Sequence, residues 1–546
     1  MAAGPPGNGA FARPFDPSII SRTITTQVTI IGGLEAMSDQ KTPVSYEGVS
    51  YETVGKEYFE KRTLRRYAGV GSLWALGVGA VISGHFSGWN FGLAPGGFGG
   101  FLVAAVLIGL MYVCMCYCLA EMSPALPHTG AAYSFARSAL GPWGGFITGL
   151  AENIEYVVTP GVITFFIGAY LGGIFETGPG FQPVWWLLAY GVFLAMNLLG
   201  VELSFRVSVI VTLLALLVLA IFWISAVPHF DLSRWALNIG VDPVTGERVE
   251  LPEGGGPWFP FGLTGILFAM PFAVWLFLAI EQLPLAAEES HDPKKDMPRG
   301  LLLGILTLCI SATLITFLNS GIGVTNGTNS GAFYLGGSGE PLLDGFRAIY
   351  GGAAAKVLAL LAVIGLIASL HTIIYAYGRQ IYSLSRAGYF PRALSLTHGT
   401  HKVPHVALLV GGAVGFLLLV AVYLIRGEDA GAVIGGTLLN MAVFGAMISY
   451  AMQGLSFIVL RIKLPHIHRP YRSPLGIPGG VITMVIAIVT LIMQLQDPVY
   501  RYGVYAAAAW YVIGIIYFAL VGRHKLVYSP EEEFAVKERQ KAMGHA

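Results

Sequence analysis

The segment GVGAVISGHFSGW occupies residues 77–89, in the middle of a long apolar run. Its thirteen residues include four glycines, two serines and a histidine. Glycine weakens a helix by about 1 kcal/mol relative to alanine, and a polar ring is costly in hydrocarbon. We therefore expect a membrane-spanning helix here that is interrupted near its middle.

The composition of the whole chain indicates a membrane protein. Of its 546 residues, 55% are hydrophobic and only 12% are charged, whereas soluble domains carry about 25% charged residues. The formal net charge of +1 provides no basic surface for nucleic acid. The chain is therefore predicted to be an all-α polytopic protein in contact with the lipid bilayer, with no nucleic-acid partner.

Twelve apolar segments are long enough to cross a bilayer, which requires about 20 residues each. We number them spans 1 to 12 in chain order. Span 1 contains the segment quoted above. The twelve lie near residues 69–93, 99–120, 142–173, 183–200, 206–227, 260–285, 300–322, 344–384, 405–425, 431–460, 478–495 and 502–521.

The distribution of lysine and arginine predicts the orientation of these spans, because cytoplasmic loops are enriched in both. With twelve spans and a cytoplasmic N-terminus, most of the 32 basic residues lie on the inside. Both termini are therefore expected in the cytoplasm, and the membrane is expected to be a plasma or bacterial inner membrane. The basic residues left outside are Arg234, Arg248, Arg347, Lys356, Arg426 and Arg501.

Span 6 is predicted to be interrupted like span 1. Pro271 and Pro284 bound its centre, and proline removes backbone hydrogen bonds. Spans 1 and 6 are five apart, and since five is odd the two halves are inverted relative to each other. This pattern predicts a five-plus-five inverted repeat, in which unwound backbone binds the substrate of a transporter. The alternative is that the glycines only allow close helix packing.

The domain organisation follows from this repeat. The longest connection, roughly 228–259, is rich in turn residues and predicts an external hairpin or lid. A second methionine, Met37, begins a stretch that resembles an ordinary protein start, so residues 1–36 are expected to be dispensable. The predicted parts are a partly disordered cytoplasmic tail (1–68), a transport core (69–460, with halves at about 69–227 and 260–460), two additional spans (461–522) and a cytoplasmic C-terminal tail (523–546).

Three glutamates lie at membrane depth without a basic residue in the centre of any span. Glu152, Glu155 and Tyr156 share one face of span 3, and Glu281 lies between the two prolines of span 6. Three explanations stay open: protonated structural groups, proton carriers, or acids that attract a cationic substrate. As a set, three acids without a basic partner favour a cation, of which an amine is the obvious example.

Aromatic residues flank both interrupted helices. Phe86 and Trp89 lie beside the glycine segment, and Trp275 and Phe277 lie in span 6. Ring faces attract ammonium groups by roughly 0.5–2 kcal/mol. Each ring alone is equally consistent with packing, so their position beside the interruptions is what makes them candidates.

Several motifs together resemble the amino acid–polyamine–organocation superfamily of permeases, over roughly residues 60–525. Within it, the chain is most similar to the ethanolamine permeases, through YFEKRTLRRYAGVGSLWALGVGAVISGHFSGWNFGL and GLAENIEYVVTP. The superfamily motifs are ISGHF, LAEMSPALPHTGAAYSFARSALGPWGGFITG, AAEESHDPKKDMPRG, GRQIYSLSRAGYFPRAL and YRSPLGIPG.

The resemblance implies twelve helices, alternating access and a substrate near the midplane of the membrane. It places Ser83 and Gly84 in contact with the ligand, and Asn153 as a polar ligand on span 3. The spacing of WLFLAIE is similar to that of WSFIGVE in the bacterial arginine–agmatine exchanger. By that likeness, Trp275 contacts substrate and Glu281 takes part in gating or proton coupling.

Two features depart from the superfamily pattern. His85 replaces an aliphatic residue, which puts a carboxylate-binding geometry in doubt. Three roles for His85 stay open: a bond to a neighbouring helix, titration, or contact with the substrate. Span 5 has no lysine to act as a sodium surrogate, so the coupling ion, H⁺ or Na⁺, stays open. Ser369 and His371 on span 8 are the candidates for that coupling.

The sequence therefore predicts a secondary transporter, not an enzyme, that imports a small cationic amine, with ethanolamine as the substrate implied by the resemblance. An amino acid permease or exchanger on the same scaffold is the alternative, and a transporter-like membrane sensor is a third. No cofactor or metal is expected. Cys114 and Cys118 share a helix face while Cys116 points elsewhere, so the three cysteines cannot ligate one metal ion and are expected to pack as small hydrophobes.

Overall fold

A computed structural model describes residues 44–46, 48–52, 54–128, 130–427, 431–465, 467–529 and 532–533. The prediction that residues 1–36 are dispensable lies outside the described residues. Within them, ten helices are long and apolar enough to cross a membrane, and two shorter apolar helices lie at the positions of spans 1 and 6. The prediction of an all-α membrane protein with twelve spans, of which the first and sixth are broken, is confirmed.

Ten long helices cross the described part of the protein, and the first of them, Leu93–Ala125, is kinked at Gly97 with φ of 63°. Their lengths of 17 to 35 residues correspond to about 25–50 Å, enough for a bilayer. They are Leu93–Ala125, Pro142–Phe175, Gln182–Leu198, Val201–Ala226, Pro293–Ser320, Gly352–Arg386, His405–Arg426, Ala432–Lys463, Gly476–Gln496 and Arg501–Leu520.

The two broken spans consist of separate pieces. Span 1 is Val70–Val81 followed by the single turn Ser83–Phe86. Span 6 is Gly262–Val274 followed, after five turn residues, by the 3₁₀ helix Ile280–Glu289. The interrupted parts of both broken spans are buried, whereas spans 11 and 12 expose large apolar side chains on the outside of the bundle.

Shorter elements connect the spans. The connection between spans 5 and 6 contains a hairpin of strands Ile239–Val241 and Arg248–Glu250, as its turn residues predict. Span 8 differs from its expected bounds, because Gly351 with φ of 78° separates Pro341–Tyr350 from the spanning helix. The other short helices and turns are Lys56–Glu60, Trp89–Gly92, Ala131–Leu140, Pro179–Phe181, Val227–His229, Leu232–Ala236, Gly331–Leu335, Arg392–Ser395 and Gly522–His524.

The two tails meet in a small sheet on one side of the bundle. Strands Val44–Tyr46 and Val49–Glu52 form an antiparallel hairpin, and Leu526–Val527 pairs in parallel with its second strand. This sheet joins residues almost 500 positions apart, and it packs against the ends of spans 3, 8 and 12 through the cluster around Phe146, Leu384 and Phe518. Part of each tail is therefore folded onto the transport core.

Candidate functional site

The two interruptions touch each other at Gly84. In span 1, Ser87 is extended and Gly88 has φ of 95°. In span 6, Ala279 has φ of 82°, just before the 3₁₀ helix begins. A Cβ on Gly84 would lie only 1.9 Å from the carbonyl oxygen of Trp275. Glycine is therefore required where the unwound backbone of one span approaches that of the other.

His85 bridges the two interruptions. Its Nε2 donates to the carbonyl oxygen of Leu276 at 3.0 Å, and the Ser311 hydroxyl of span 7 donates to its Nδ1 at 2.7 Å. Unwinding frees the Leu276 carbonyl from helical bonding, and burial then demands another donor. Of the three roles considered for His85, these contacts correspond to the bond with neighbouring helices.

Ser369 of span 8 hydrogen-bonds the backbone at the interruption of span 1. Its hydroxyl accepts from the Ser83 N–H at 2.9 Å and donates to the Gly79 carbonyl oxygen at 2.7 Å. Both of these backbone groups lie at the end of the first half-helix, where intrahelical partners are missing. Ser369 thus ties span 8 to the interruption, and its role in coupling or gating stays a prediction.

His371 lies on another face of span 8, away from the interruption. Its Nε2 donates to the Ser204 carbonyl oxygen at 3.1 Å, and its Nδ1 accepts from the Asn197 amide at 3.1 Å. These partners belong to the end of span 4 and the start of span 5. The structure therefore separates the two residues proposed for ion coupling.

The three glutamates form one buried cluster with tyrosine hydroxyls. The Tyr156 hydroxyl lies 3.1 Å from Glu152 and 3.2 Å from Glu281, so it donates to one of them at a time. The Tyr450 hydroxyl donates to Glu155 at 2.9 Å. This cluster joins span 3 to the 3₁₀ part of span 6, directly after the interruption.

The three carboxyl groups have unsatisfied oxygens. The Oε2 atoms of Glu152, Glu155 and Glu281 are buried without a hydrogen-bond partner. No ion pair reaches these acids from any residue that the structure describes.

The aromatic candidates lie around the interruptions but face different neighbours. The Trp275 indole lies against Gly88, and its Nε1 has no partner among the described residues. The Phe86 ring packs on Gly365 of span 8. Phe277 faces span 2, with its ring 5.4 Å from that of Tyr112. Of these, Trp275 is the one in contact with both Gly84 and Gly88.

Asn153 is brought neither to the interruption nor to the carboxyl cluster by a hydrogen bond. Its side chain is half-buried, and its Nδ2 has no partner in the described part of the chain. Conversely, sequence reasoning missed Tyr112, Tyr450 and Gln380, which surround the glutamates. A tyrosine in an apolar helix gives no signal of its own, because packing places tyrosines there as well.

Comparison with known proteins agrees with this architecture. Residues 72–531 match the family model described as "Amino acid permease". The chain belongs to the amino acid permease family. It is an integral membrane transporter, as the sequence predicts, and its relatives are named as transporters and permeases rather than enzymes.

Three relatives show how far the similarity extends. An uncharacterized transporter of Rhizobium meliloti is 27% identical, over 76% of this permease and 83% of the relative. The branched-chain amino acid permease BcaP of Bacillus subtilis is 25% identical, over 85% of this permease and 94% of the relative. The methylthioribose transporter of the same organism is 22% identical, over 86% of this permease and 96% of the relative. None of the three is named as an ethanolamine permease.

Proposed function

We propose that this permease imports a small cationic amine, with ethanolamine as the substrate, by alternating access. The observation that carries the proposal is the cluster of Glu152, Glu155 and Glu281, which no described cation neutralises. An ammonium ion beside these acids supplies the missing charge and hydrogen bonds. The aromatic face of Trp275 covers the ammonium group, and Ser83 and the unwound backbone bond the substrate hydroxyl.

Several backbone N–H groups at the interruption are already bonded, which leaves fewer of them for a substrate carboxylate. A carboxylate substrate needs free N–H groups in span 1. The N–H groups of Ser83, His85 and Ser87 are already bonded, to Ser369, Ile82 and Ser83. The amino acid alternative is supported by the name of a relative, the branched-chain amino acid permease.

The proposed mechanism moves the interrupted spans 1 and 6 against the remaining helices of the transport core, residues 69–460. Glu155 and Glu281 belong to the same buried cluster, and an ammonium ion arriving beside them would favour loss of a proton from a carboxyl there. This supports proton coupling through that pair. Ser369 supports gating instead, because its two bonds must rearrange when the half-helices of span 1 move.

Uptake into vesicles tests the proposal. Purified protein is reconstituted, and labelled ethanolamine uptake is measured under imposed proton or sodium gradients. Glu281→Gln and Glu152→Gln are expected to lower uptake by at least about tenfold, since each removes a buried charge that binds the ammonium. Glu202→Gln is the control, because Glu202 is half-exposed and pairs with Arg206 at the surface, away from the carboxyl cluster.

Competition separates the two candidate substrates. If leucine or lysine is taken up and ethanolamine neither enters nor competes, the amino acid alternative is correct. If both glutamine variants transport ethanolamine as fast as the unmodified protein, the assignment of the site is wrong.

A further inference from the structure

A large cavity lies at the end of the bundle that is expected to be cytoplasmic. It has a volume of about 630 Å³, and its walls come from the segment before span 1, the ends of spans 2, 6 and 8, and the start of span 7. Neither the interruptions nor the glutamate cluster contribute to these walls. We call it the inner cavity, and the charged residues in its walls are Arg62, Arg66, Glu288, Asp292, Lys294 and Arg386.

The two acids in these walls already have cationic partners. The Arg386 guanidinium donates to the Glu288 carboxylate at 2.6 and 3.1 Å. The Asp292 carboxylate lies 3.6 Å from the ammonium group of Lys295, which is not part of the walls. Both acids are thus engaged by cations other than the three that remain in the inner cavity.

Those three cations make no ion pair with any residue that the structure describes. Arg66 and Lys294 are exposed, so their charged groups are accessible to a ligand. Arg62 is only 8% exposed and packs over the Tyr58 ring, with 3.6 Å from its guanidinium carbon to the ring centroid. Its hydrogen bonds go to the Ser395 hydroxyl and to two backbone carbonyl oxygens, all of them neutral. Arg62 therefore adds positive charge to the wall beside the two accessible cations.

The charge of the inner cavity favours a phosphate group as its ligand. Four cations and two acids give the walls an excess of two positive charges, and a phosphate monoester carries a charge of about −1.5 to −2 at pH 7. A single carboxylate would balance only half of that excess. Arginine binds phosphate oxygens through two parallel N–H bonds, and lysine binds them as a point charge. The same charges repel an ammonium ion, so the inner cavity differs in chemistry from the proposed substrate site.

The inner cavity lies where the segment before span 1 is joined to its neighbours. The Ala68 N–H donates to the Glu289 carbonyl oxygen at 2.9 Å, and the His291 N–H donates to the Ala68 carbonyl oxygen at 2.9 Å. From span 8, the Tyr382 hydroxyl donates to the Arg62 carbonyl oxygen at 2.6 Å. These bonds join the cytoplasmic ends of spans 1, 6 and 8, and they must rearrange if span 1 moves.

We propose that the inner cavity binds a phosphate-bearing anion and that the bound anion holds these ends together. Its oxygens accept from Arg66, which precedes span 1, and from Lys294, in the first turn of span 7. Because the anion contacts both elements, it binds the joined arrangement more tightly than the separated one and so stabilises it. This regulatory site goes beyond the proposed function and does not depend on which substrate is transported.

Pyrophosphate binding to the purified full-length protein tests the site. Calorimetry at pH 7.5 and constant ionic strength measures Kd, so that a change in screening does not contribute. Arg66→Gln and Lys294→Gln are each expected to raise Kd about tenfold, as for the loss of one charged hydrogen bond, whereas Arg66→Lys keeps most of the affinity. Arg65→Gln is the matched control, because Arg65 is an exposed neighbour that lies 4.0 Å from Glu202 and outside the walls. Equal Kd values for all four variants and the unmodified protein would overturn the proposal.

Two sources of the phosphate group are distinguished by the thermal stability of the protein. One arm adds pyrophosphate to protein in phosphatidylcholine vesicles, and the other includes phosphatidic acid, whose headgroup is a phosphate monoester. If only the lipid raises Tm, and does so less for Arg66→Gln, a lipid headgroup is the ligand. If only pyrophosphate does, the ligand is a soluble anion. If neither raises Tm, the inner cavity binds no phosphate and the proposal is wrong.

Hydrogen exchange tests whether the anion holds the ends together. The amides of Ala68 and His291 are bonded across the joint. With pyrophosphate at ten times its Kd, their exchange is expected to slow about tenfold, because opening then requires release of the anion. Arg66→Gln is expected to lose this protection at the same concentration, and Arg65→Gln to keep it. Unchanged exchange in protein saturated with pyrophosphate would overturn the holding role.

Uptake separates failure of this site from failure of the proposed function. Right-side-out vesicles loaded with pyrophosphate at ten times its Kd are expected to take up labelled ethanolamine at least about threefold more slowly than vesicles without it. Arg66→Gln is expected to show no such difference. If ethanolamine is not transported but pyrophosphate binding still depends on Arg66 and Lys294, the proposed function is wrong and the inner cavity stands. If ethanolamine uptake depends on Glu281 and neither binding nor exchange depends on Arg66, the reverse holds.

Discussion

Gly84 is the contact point of the interrupted helices, so it is the residue least able to carry a side chain. We expect Gly84→Ala to abolish uptake, because the added Cβ lies 1.9 Å from the Trp275 carbonyl oxygen and backbone must move to relieve the clash. Gly191→Ala is the control, since Gly191 lies in span 4 with no atom within 4 Å of the new Cβ. Uptake and Tm are measured for both; normal transport by Gly84→Ala would contradict this contact.

His85 is expected to support the unwound backbone through its bond to the Leu276 carbonyl oxygen. His85→Ala leaves that buried oxygen unsatisfied, which costs about 1–3 kcal/mol and lowers Tm. His85→Gln is the matched variant, because its amide offers an N–H close to the position of Nε2 and is expected to recover much of the loss. A His85→Ala protein with unchanged Tm but impaired uptake would instead indicate a direct substrate contact.

The helix face of span 3 could be predicted from spacing alone, whereas the rest of the carboxyl cluster could not. Glu152 and Tyr156 are four residues apart and do bond each other. The bond from Tyr450 to Glu155 joins residues 295 positions apart. Such a contact depends on how whole helices pack, and no local pattern in the sequence reports it.

At the scale of elements, the interruptions were predictable because glycine and proline act locally. The segment 77–89 contains the break at Ile82 and the extended residue Ser87, and the break of span 6 falls between Pro271 and Pro284. The separate helix before span 8 was not predicted, because a single glycine, Gly351, divides a sequence of continuous helical character. One glycine is tolerated in many helices, so it gives a weak signal.

The connection after span 6 is held to span 8 by a buried ion pair. Arg379 donates to Glu289 at 3.0 Å, and both side chains are at most 1% exposed. The Glu289 carbonyl oxygen also accepts from the N–H groups of Tyr67 and Ala68, just before span 1. This pair therefore ties together the ends of spans 1, 6 and 8 on the side expected to be cytoplasmic.

Removing one partner of that pair is expected to destabilise the protein more than removing both. Glu289→Gln leaves the Arg379 charge buried without its acid, at a cost of about 3 kcal/mol. The double variant Glu289→Gln with Arg379→Met removes the charge and is expected to regain most of the lost Tm. The Tm values of Glu289→Gln, of Arg379→Met and of the double variant give the interaction energy between the two side chains. If the two single losses simply add in the double variant, the pair contributes no interaction of its own.

At the scale of the whole molecule, the two tails close one end of the bundle. Glu532 accepts from Tyr51 at 2.7 Å and from Tyr389 at 3.0 Å, and it pairs with Arg137. Both members of that ion pair are at most 1% exposed. The sequence predicted a partly disordered N-terminal tail and a cytoplasmic C-terminal tail, but not that they pair, because no local pattern reports a contact between residues so distant in the chain.

Truncation tests whether the C-terminal strand and Glu532 stabilise the transport core. A chain ending at Lys525 loses both, so Arg137 keeps a buried charge without this carboxylate, and we expect a loss of about 3 kcal/mol with a lower Tm. A chain ending at Glu533 keeps both and is the matched control. Adding Arg137→Met to the shorter chain is expected to restore part of the Tm, because the buried charge that has lost Glu532 is removed. If the chain ending at Lys525 melts at the same temperature as the control, the C-terminal strand and Glu532 add nothing to the stability of the core.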